Sequence, residues 1–142
     1  VQMIHDLDSF PWLFESNSAD EVVMDHCLEH LVDRNCAMKE IHRILKPGGK
    51  AKIEVPHFTW QFAYTDPTHR HFFAYNTFFY YTGGKGSLDI KFSSCKVRII
   101  FGKSLSFWNY ILEPIFNMFP NAYEQSPLRI FPATSISATL VK

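Results

Sequence analysis

The sequence lacks the features that mark several common classes of protein. Basic and acidic side chains balance at 14 each. Nucleic-acid-binding proteins usually carry a basic surplus or stripe, so no nucleic-acid partner is expected. No run of 18 or more apolar residues is present, and we therefore expect no membrane partner. Three cysteines (Cys27, Cys36 and Cys95) form no C-x-x-C pair, which predicts free thiols in a cytoplasmic protein.

Glycine is scarce where it would support phosphate binding. The chain has six glycines, and its one glycine-rich run, T-G-G-K-G-S at 82–87, fails the phosphate-loop spacing. This run therefore predicts a flexible loop. Phenylalanine is abundant, with 14 residues, which favours an aromatic core or an apolar pocket.

The best-defined pattern is strand, helix, strand. The apolar run within 20–25 predicts a buried strand. Asp33 is a good helix N-cap, and a helical apolar face follows that consists of Ala37, Met38, Ile41, Ile44 and Leu45. Lys46–Gly49 ends the helix, and 50–55 alternates as a strand does. Such a unit has parallel strands, and ligands bind at their carboxyl ends.

The remaining patterns complete a single α/β domain over 1–142. Further strands are predicted near 2–6, 92–101 and 134–141, the last two forming an antiparallel edge on a mostly parallel sheet. An insertion over 58–89 is predicted to cover the strand ends. The polar alternation of 50–55 predicts that one face of the sheet is thinly covered there.

The stretch His26–His30, H-C-L-E-H, matches the zinc signature H-x-x-E-H. That signature requires both histidines and the glutamate on one helix. Here the stretch directly follows a predicted strand, which favours a loop on the ligand side of the sheet. No third ligand can be identified, so we predict no metal. A zinc hydrolase using His26, Glu29 and His30 is kept as a third alternative.

An ordered set of motifs resembles class I S-adenosylmethionine-dependent methyltransferases. The set runs along most of the chain and consists of Asp6-Leu7, Phe10-Pro11-Trp12, the "LEH" after a strand, the turn "ILKPGGK", "DPTHRHFFAYNTF" and "PLRIFPATSISATLVK". The resemblance implies a Rossmann-like sheet, S-adenosylmethionine as cofactor, and a small-molecule or glycan acceptor.

The resemblance also implies roles for particular residues. Cofactor binding falls to Asp6, Leu7, Asp25 and His26, with Asp6 accepting a hydrogen bond from the adenine amino group. Candidate catalytic bases are His26, His69 and His71, and candidate substrate-binding residues are His57, Tyr64 and Arg70. His69 and His71 alternate, so in an extended segment they point the same way. A metal pair or a purely structural role stays open for these two.

The sequence departs from the family pattern at its N-terminal side. The family's first strand with its glycine-rich loop is not found, nor is the acidic residue that holds the ribose diol. We therefore expect an N-terminally incomplete fragment of a longer enzyme that is inactive alone. Its strand 20–25 would then expose an edge, which predicts self-association. A non-catalytic, methyltransferase-like interaction module is the main alternative.

Overall fold

A computed structural model describes residues 4–83, 89–102 and 107–142. Over these ranges the chain forms one four-stranded sheet in the order β1-β2-β4-β3. The strands are β1 (Ala19–Asp25), β2 (Leu45–Pro56), β3 (Ser94–Ile100) and β4 (Ser135–Val141). β1 and β2 are parallel, whereas β4 is antiparallel to both β2 and β3. The predicted α/β class and its antiparallel C-terminal edge are confirmed.

Four helices accompany the sheet in the described residues. They are α1 (Arg34–Ile44), α2 (Phe62–Thr65), α3 (Asn109–Met118) and α4 (Pro120–Gln125), and two 3₁₀ helices span Tyr75–Thr82 and Pro127–Ile130. In the same part of the chain, no helix is long and apolar enough to cross a bilayer.

The predicted strand–helix–strand unit is present, and its helix begins where the sequence indicates. Asp33 Oδ1 accepts hydrogen bonds from the backbone N–H groups of Asn35 and Cys36, both at 2.9 Å. These bonds satisfy two donors that have no partner inside the helix. Met38 and Ile41 are fully buried against the sheet. The apolar helical face therefore anchors α1 to the core.

β2 begins directly after α1, five residues earlier than predicted. Leu45 already pairs with Ala19, and a register shift follows before Glu21 pairs with Lys50. The extra residues form a bulge in which Gly48 has φ +79°, a conformation that glycine adopts without strain. The segment 46–49 thus ends the helix, as predicted, but lies within a strand.

The two faces of the sheet differ in coverage. In β2, Ala51, Ile53 and Val55 are buried, whereas Lys50 and Lys52 are exposed. This alternation agrees with the thinly covered face that the polar residues of 50–55 predict. On that face Lys52 forms an ion pair of 2.7 Å with Glu21 of β1.

The prediction of a strand near 2–6 is wrong for its described part. Residues 4–6 form no strand, and 1–3 lie outside the described residues. The Asp6 side chain accepts a hydrogen bond from the Asp8 N–H at 3.0 Å, and the Asp6 carbonyl accepts one from the Ser9 N–H at 3.0 Å. These local bonds favour a turn over a strand. β1 is therefore the edge strand of the described sheet.

The segment 58–89 holds α2 and the 3₁₀ helix Tyr75–Thr82. Phe73, Phe78 and Tyr81 of this segment are buried in the main core. The predicted loop at 82–87 falls mostly on 84–88, which lie outside the described residues.

Candidate functional site

β1 ends in a turn that carries the H-C-L-E-H stretch. His26 follows directly and adopts a left-handed backbone conformation, with φ +47°, which is uncommon for a residue with a side chain. Its N–H donates to the Glu54 carbonyl of β2 at 3.0 Å. Residues 26–30 form turns and bends rather than a helix. The helical geometry required for a zinc protease is therefore not formed.

Glu29 is the buried acid of this turn. Its side chain has no solvent exposure, and Oε1 accepts a hydrogen bond from His26 Nδ1 at 3.2 Å. If Nδ1 carries the His26 proton and donates to Glu29, the lone pair of the ring lies on Nε2, which is 3.9 Å from Asp25 Oδ1. Glu29 Oε2 has no hydrogen-bond partner among the described residues.

The loop 66–71 is tied to this turn by backbone bonds. The Glu29 carbonyl accepts from the N–H groups of Arg70, at 2.8 Å, and His71, at 3.2 Å. The His69 ring consequently lies beside that of His30, with 4.7 Å between ring centroids. The fold thus brings together His26, Glu29, His30 and His69, which the sequence separates by up to 43 positions (69 − 26).

A cavity of about 390 Å³ opens at the carboxyl ends of β1 and β2. It is lined by His26, Glu54, Pro56, Trp60, Phe62, His69, Ile100, Thr134 and Ser135. Two aromatic rings and a few polar groups around such a volume suit a small organic molecule. Of the three predicted bases, His26 and His69 line this cavity.

Sequence reasoning missed several residues of the cavity wall. Glu54 is held in place by Ser135, whose hydroxyl donates to Glu54 Oε1 at 2.7 Å. Glu54 is the last charged residue of β2 before Pro56 ends the strand. A charged residue at the carboxyl end of a strand is a sequence signal that could have identified it as a candidate site residue. Ser135 reaches the site from β4, a long-range pairing that no local pattern encodes.

Other predicted site residues lie outside the cavity lining. His71 Nε2 donates to the Leu31 carbonyl at 2.9 Å. His57 is fully buried between Glu124 Oε1, at 3.0 Å, and Thr59 Oγ1, at 2.7 Å. Tyr64 stacks on Phe72, with 4.6 Å between ring centroids, and Arg70 is exposed. Their functional roles stay predictions.

Of the predicted cofactor-side residues, Asp25 and His26 lie at the carboxyl end of β1, and Leu7 lines an apolar groove along β1. Asp8 Oδ1 accepts a hydrogen bond from the Val32 N–H at 2.8 Å, which holds the segment 6–8 beside the turn.

Burial raises the pKa of the Cys27 thiol, with smaller contributions from the charges of Glu29 and Asp8. The thiol in this turn is therefore protonated at neutral pH.

Comparisons with known proteins agree with this geometry. Residues 2–53 match a family model described as a methyltransferase domain. No protein of curated function matches the sequence. The solved structures that share the fold at low sequence identity include the following three.

The first is a SAM-dependent methyltransferase from Archaeoglobus fulgidus, with 16% identity, a TM-score of 0.65, and coverage of 99% of this chain and 66% of that one. A SAM-dependent methyltransferase from Thermotoga maritima, titled a possible histamine N-methyltransferase, has 16% identity, a TM-score of 0.57, and coverage of 97% and 62%. The third is phosphoethanolamine N-methyltransferase 2 of Haemonchus contortus in complex with S-adenosyl-L-methionine, with 17% identity, a TM-score of 0.55, and coverage of 96% and 36%.

The chain spans less than two thirds of the length of each of these proteins. At these identities the structural matches concern the fold, and the family model adds a match in sequence over the turn and its flanking elements. Sequence and fold together confirm the resemblance of this chain to class I S-adenosylmethionine-dependent methyltransferases.

Proposed function

We propose that this chain takes part in methyl transfer from S-adenosylmethionine to a small-molecule or glycan acceptor bound in the cavity. The observation that carries the proposal is the position of His26. It follows the carboxyl end of β1, lines the cavity and is oriented by the buried Glu29. Ligands of open α/β sheets bind at this end of the strands.

The methyl group on a sulfonium is already activated, so the protein does not need to activate it. An acceptor oxygen or nitrogen forms a bond to the methyl carbon as the carbon–sulfur bond breaks, which releases S-adenosylhomocysteine. The protein aligns the acceptor and removes its proton. His26 Nε2 accepts that proton, and the Glu29 carboxylate stabilises the resulting imidazolium, as the acid of a catalytic triad does.

In this proposal Asp6, Leu7 and Asp25 would hold the cofactor. Asp6 accepts a hydrogen bond from the adenine amino group, and Leu7 supplies an apolar contact. The Leu7 backbone is fixed because its carbonyl accepts a hydrogen bond from Trp12 Nε1 at 2.9 Å. The Asp25 side chain is 75% exposed and its Oδ1 lies 3.9 Å from His26 Nε2, and its carboxylate would face the positively charged portion of the cofactor.

Binding by this chain alone is weak in this account, and turnover is absent. A glycine-rich loop after a strand, and an acidic residue for the ribose diol, are not found in the sequence. Two lost hydrogen bonds to a charged group remove about 3–6 kcal/mol. That loss corresponds to about two to four decades of affinity.

Ultraviolet cross-linking tests the proposal without requiring turnover or tight binding. The chain is irradiated with S-adenosylmethionine that carries a radiolabelled methyl group, and then digested with trypsin. The first tryptic peptide ends at Arg34 and holds Asp6, Leu7, Asp25 and His26. We expect label in this peptide, competed by S-adenosylhomocysteine. Label that resists competition, or that falls only on peptides from β3 or β4, would refute the proposal.

A further inference from the structure

The buried carboxylate of Glu29 is only half satisfied. Oε1 meets His26, but Oε2 has no hydrogen-bond partner among the described residues, although the side chain is fully buried. A buried carboxyl oxygen without a hydrogen-bond partner costs free energy. Two histidines, His30 and His69, lie close to this carboxyl group, and together the three side chains could bind a cation that serves as the missing partner of Oε2.

His30 and His69 face Glu29 from two segments. One ligand atom from each of the three side chains lies within 4.8 Å of the other two. His30 comes from the turn after β1, and His69 from the loop that the Glu29 carbonyl holds in place. The sequence gives no sign of this third ligand, because 39 positions separate His69 from His30 (69 − 30).

The hydrogen bonds fix which nitrogen of each ring is available. His69 Nδ1 donates to the Ala63 carbonyl at 3.1 Å. Thr68 donates its only hydroxyl proton to Asp66 Oδ1 at 2.6 Å. The Thr68 oxygen therefore accepts from His30 Nδ1 at 2.9 Å. Both imidazoles thus carry their proton on Nδ1 and leave the Nε2 lone pair free to bind a cation.

The acceptors behind these rings resemble the outer shell of metal sites. A metal-binding histidine nearly always donates its other N–H to a carbonyl, a carboxylate or a similar group, which fixes its orientation. Asp66 Oδ2 lies 3.8 Å from His69 Nε2, a separation longer than a hydrogen bond.

Against the expectation from sequence that no metal binds, we propose that Glu29, His30 and His69 bind a divalent transition-metal cation at the wall of the cavity. Two imidazoles and one carboxylate form a donor set that zinc uses in open sites with a fourth, exchangeable position. Ligand atoms around tetrahedral zinc lie about 3.3 Å apart, so the side chains close by up to about 1.5 Å on binding. His69 also lines the cavity, so the cation lies at its edge. The site does not depend on the proposed methyl transfer.

Zinc is the probe for this site. The chain is treated with a chelator, dialysed, and titrated with Zn²⁺ by calorimetry, while Co²⁺ absorption reports the coordination geometry. We expect one zinc per chain and the visible bands of tetrahedral Co²⁺. His30→Ala and His69→Ala should each weaken zinc binding by about a hundredfold or more, since loss of an outer partner alone costs 10–100-fold.

His71→Ala is the matched control. It lies in the same loop, but its Nε2 already donates to the Leu31 carbonyl, so zinc affinity should be retained. Circular dichroism confirms that each variant is folded, and Glu29→Gln provides a nearly isosteric test of the carboxylate. Absence of stoichiometric zinc binding by the folded wild-type chain would overturn the proposal. Zinc that binds equally well to folded His30→Ala and His69→Ala would also overturn it.

Discussion

The Trp12 backbone N–H donates to Glu40 Oε2 at 2.7 Å, which fastens the N-terminal segment to α1. Arg43 strengthens this contact, because it pairs with the same carboxylate at 2.7 Å and donates to the Trp12 carbonyl at 3.0 Å. The segment that carries Asp6 and Leu7 is thereby attached to the rest of the domain.

This attachment predicts a pH dependence of stability. The hydrogen bond from Arg43 holds the pKa of Glu40 below its ordinary value of 4.5. A carboxyl group with a lowered pKa in the folded state contributes stability above its unfolded pKa, and that stability is lost as the pH falls through the folded value. Urea unfolding should therefore show a larger loss between pH 7 and about pH 3 for the wild type than for Glu40→Gln. Exposed Glu15→Gln is the control, and identical losses in the wild type and Glu40→Gln would contradict the prediction.

The buried face of α1 predicts a second effect on stability. Ile41 has no solvent exposure, so Ile41→Ala should lower the free energy of unfolding by about 2–5 kcal/mol. Lys39 is exposed on the opposite face, and Lys39→Ala should cost under about 0.5 kcal/mol. Chemical denaturation of both variants measures the difference. Similar shifts of the two midpoints would show that the helix packs through another face.

The sequence predicts those helices and strands that are determined by interactions between residues close together in the chain. Asp33 as a cap, the apolar face with Met38 and Ile41, and the alternation in β2 each act within a few residues. They predict α1 and β1 correctly, and β2 from Lys50 onwards. The start of β2 was misplaced because Gly48 and Gly49 suggest a turn, whereas the fold uses them in a bulge.

The candidate site depended on contacts that a single sequence does not show. The turn at 26–30 follows a strand, as the sequence predicts, and His26 lines the cavity. The approach of His69 depends on backbone bonds from Arg70 and His71 to the Glu29 carbonyl, and such bonds leave no residue signature. His57 looked available after β2, but Glu124 from α4 and Thr59 enclose it.

The outer edge of β1 predicts self-association. β1 pairs only with β2 in the described sheet, and an apolar groove of about 260 Å³ runs beside it, lined by residues that include Leu7, Trp12 and Val22. Exposed strand edges beside apolar surface favour pairing with another chain. Light scattering after size exclusion should show a mass that rises with protein concentration.

A lysine on the edge strand should weaken that association. Val23 lies on β1 and is 63% exposed, and Val32 is similarly exposed, at 61%, but lies in the loop before α1. Val23→Lys should shift the equilibrium towards the monomer, and Val32→Lys should not. A monomeric wild type at every concentration, or equal effects of the two variants, would refute this use of the edge.

The proposed role of His26 as a general base predicts that its substitution lowers turnover more than cofactor affinity. In an active preparation that contains this chain, His26→Ala should lower turnover at saturating cofactor by about 10²–10⁴-fold, the usual contribution of a general base. Cofactor affinity should fall by much less than turnover, because Asp6, Leu7 and Asp25 are retained. His5→Ala, a histidine on the exposed N-terminal turn, is the control. Loss of cofactor affinity with normal turnover at saturation would instead assign His26 to cofactor binding.

The most direct test of the account is a titration of this chain with S-adenosylmethionine, followed by amide NMR. We predict chemical-shift changes that saturate with a Kd of about 0.1–10 mM, two to four decades weaker than a micromolar site. They should centre on residues 6–8 and 25–30 and vanish in Asp6→Ala, but persist in Asp20→Ala at the other end of β1. Absence of shifts at these residues, or a response confined to β3 and β4, would contradict the account.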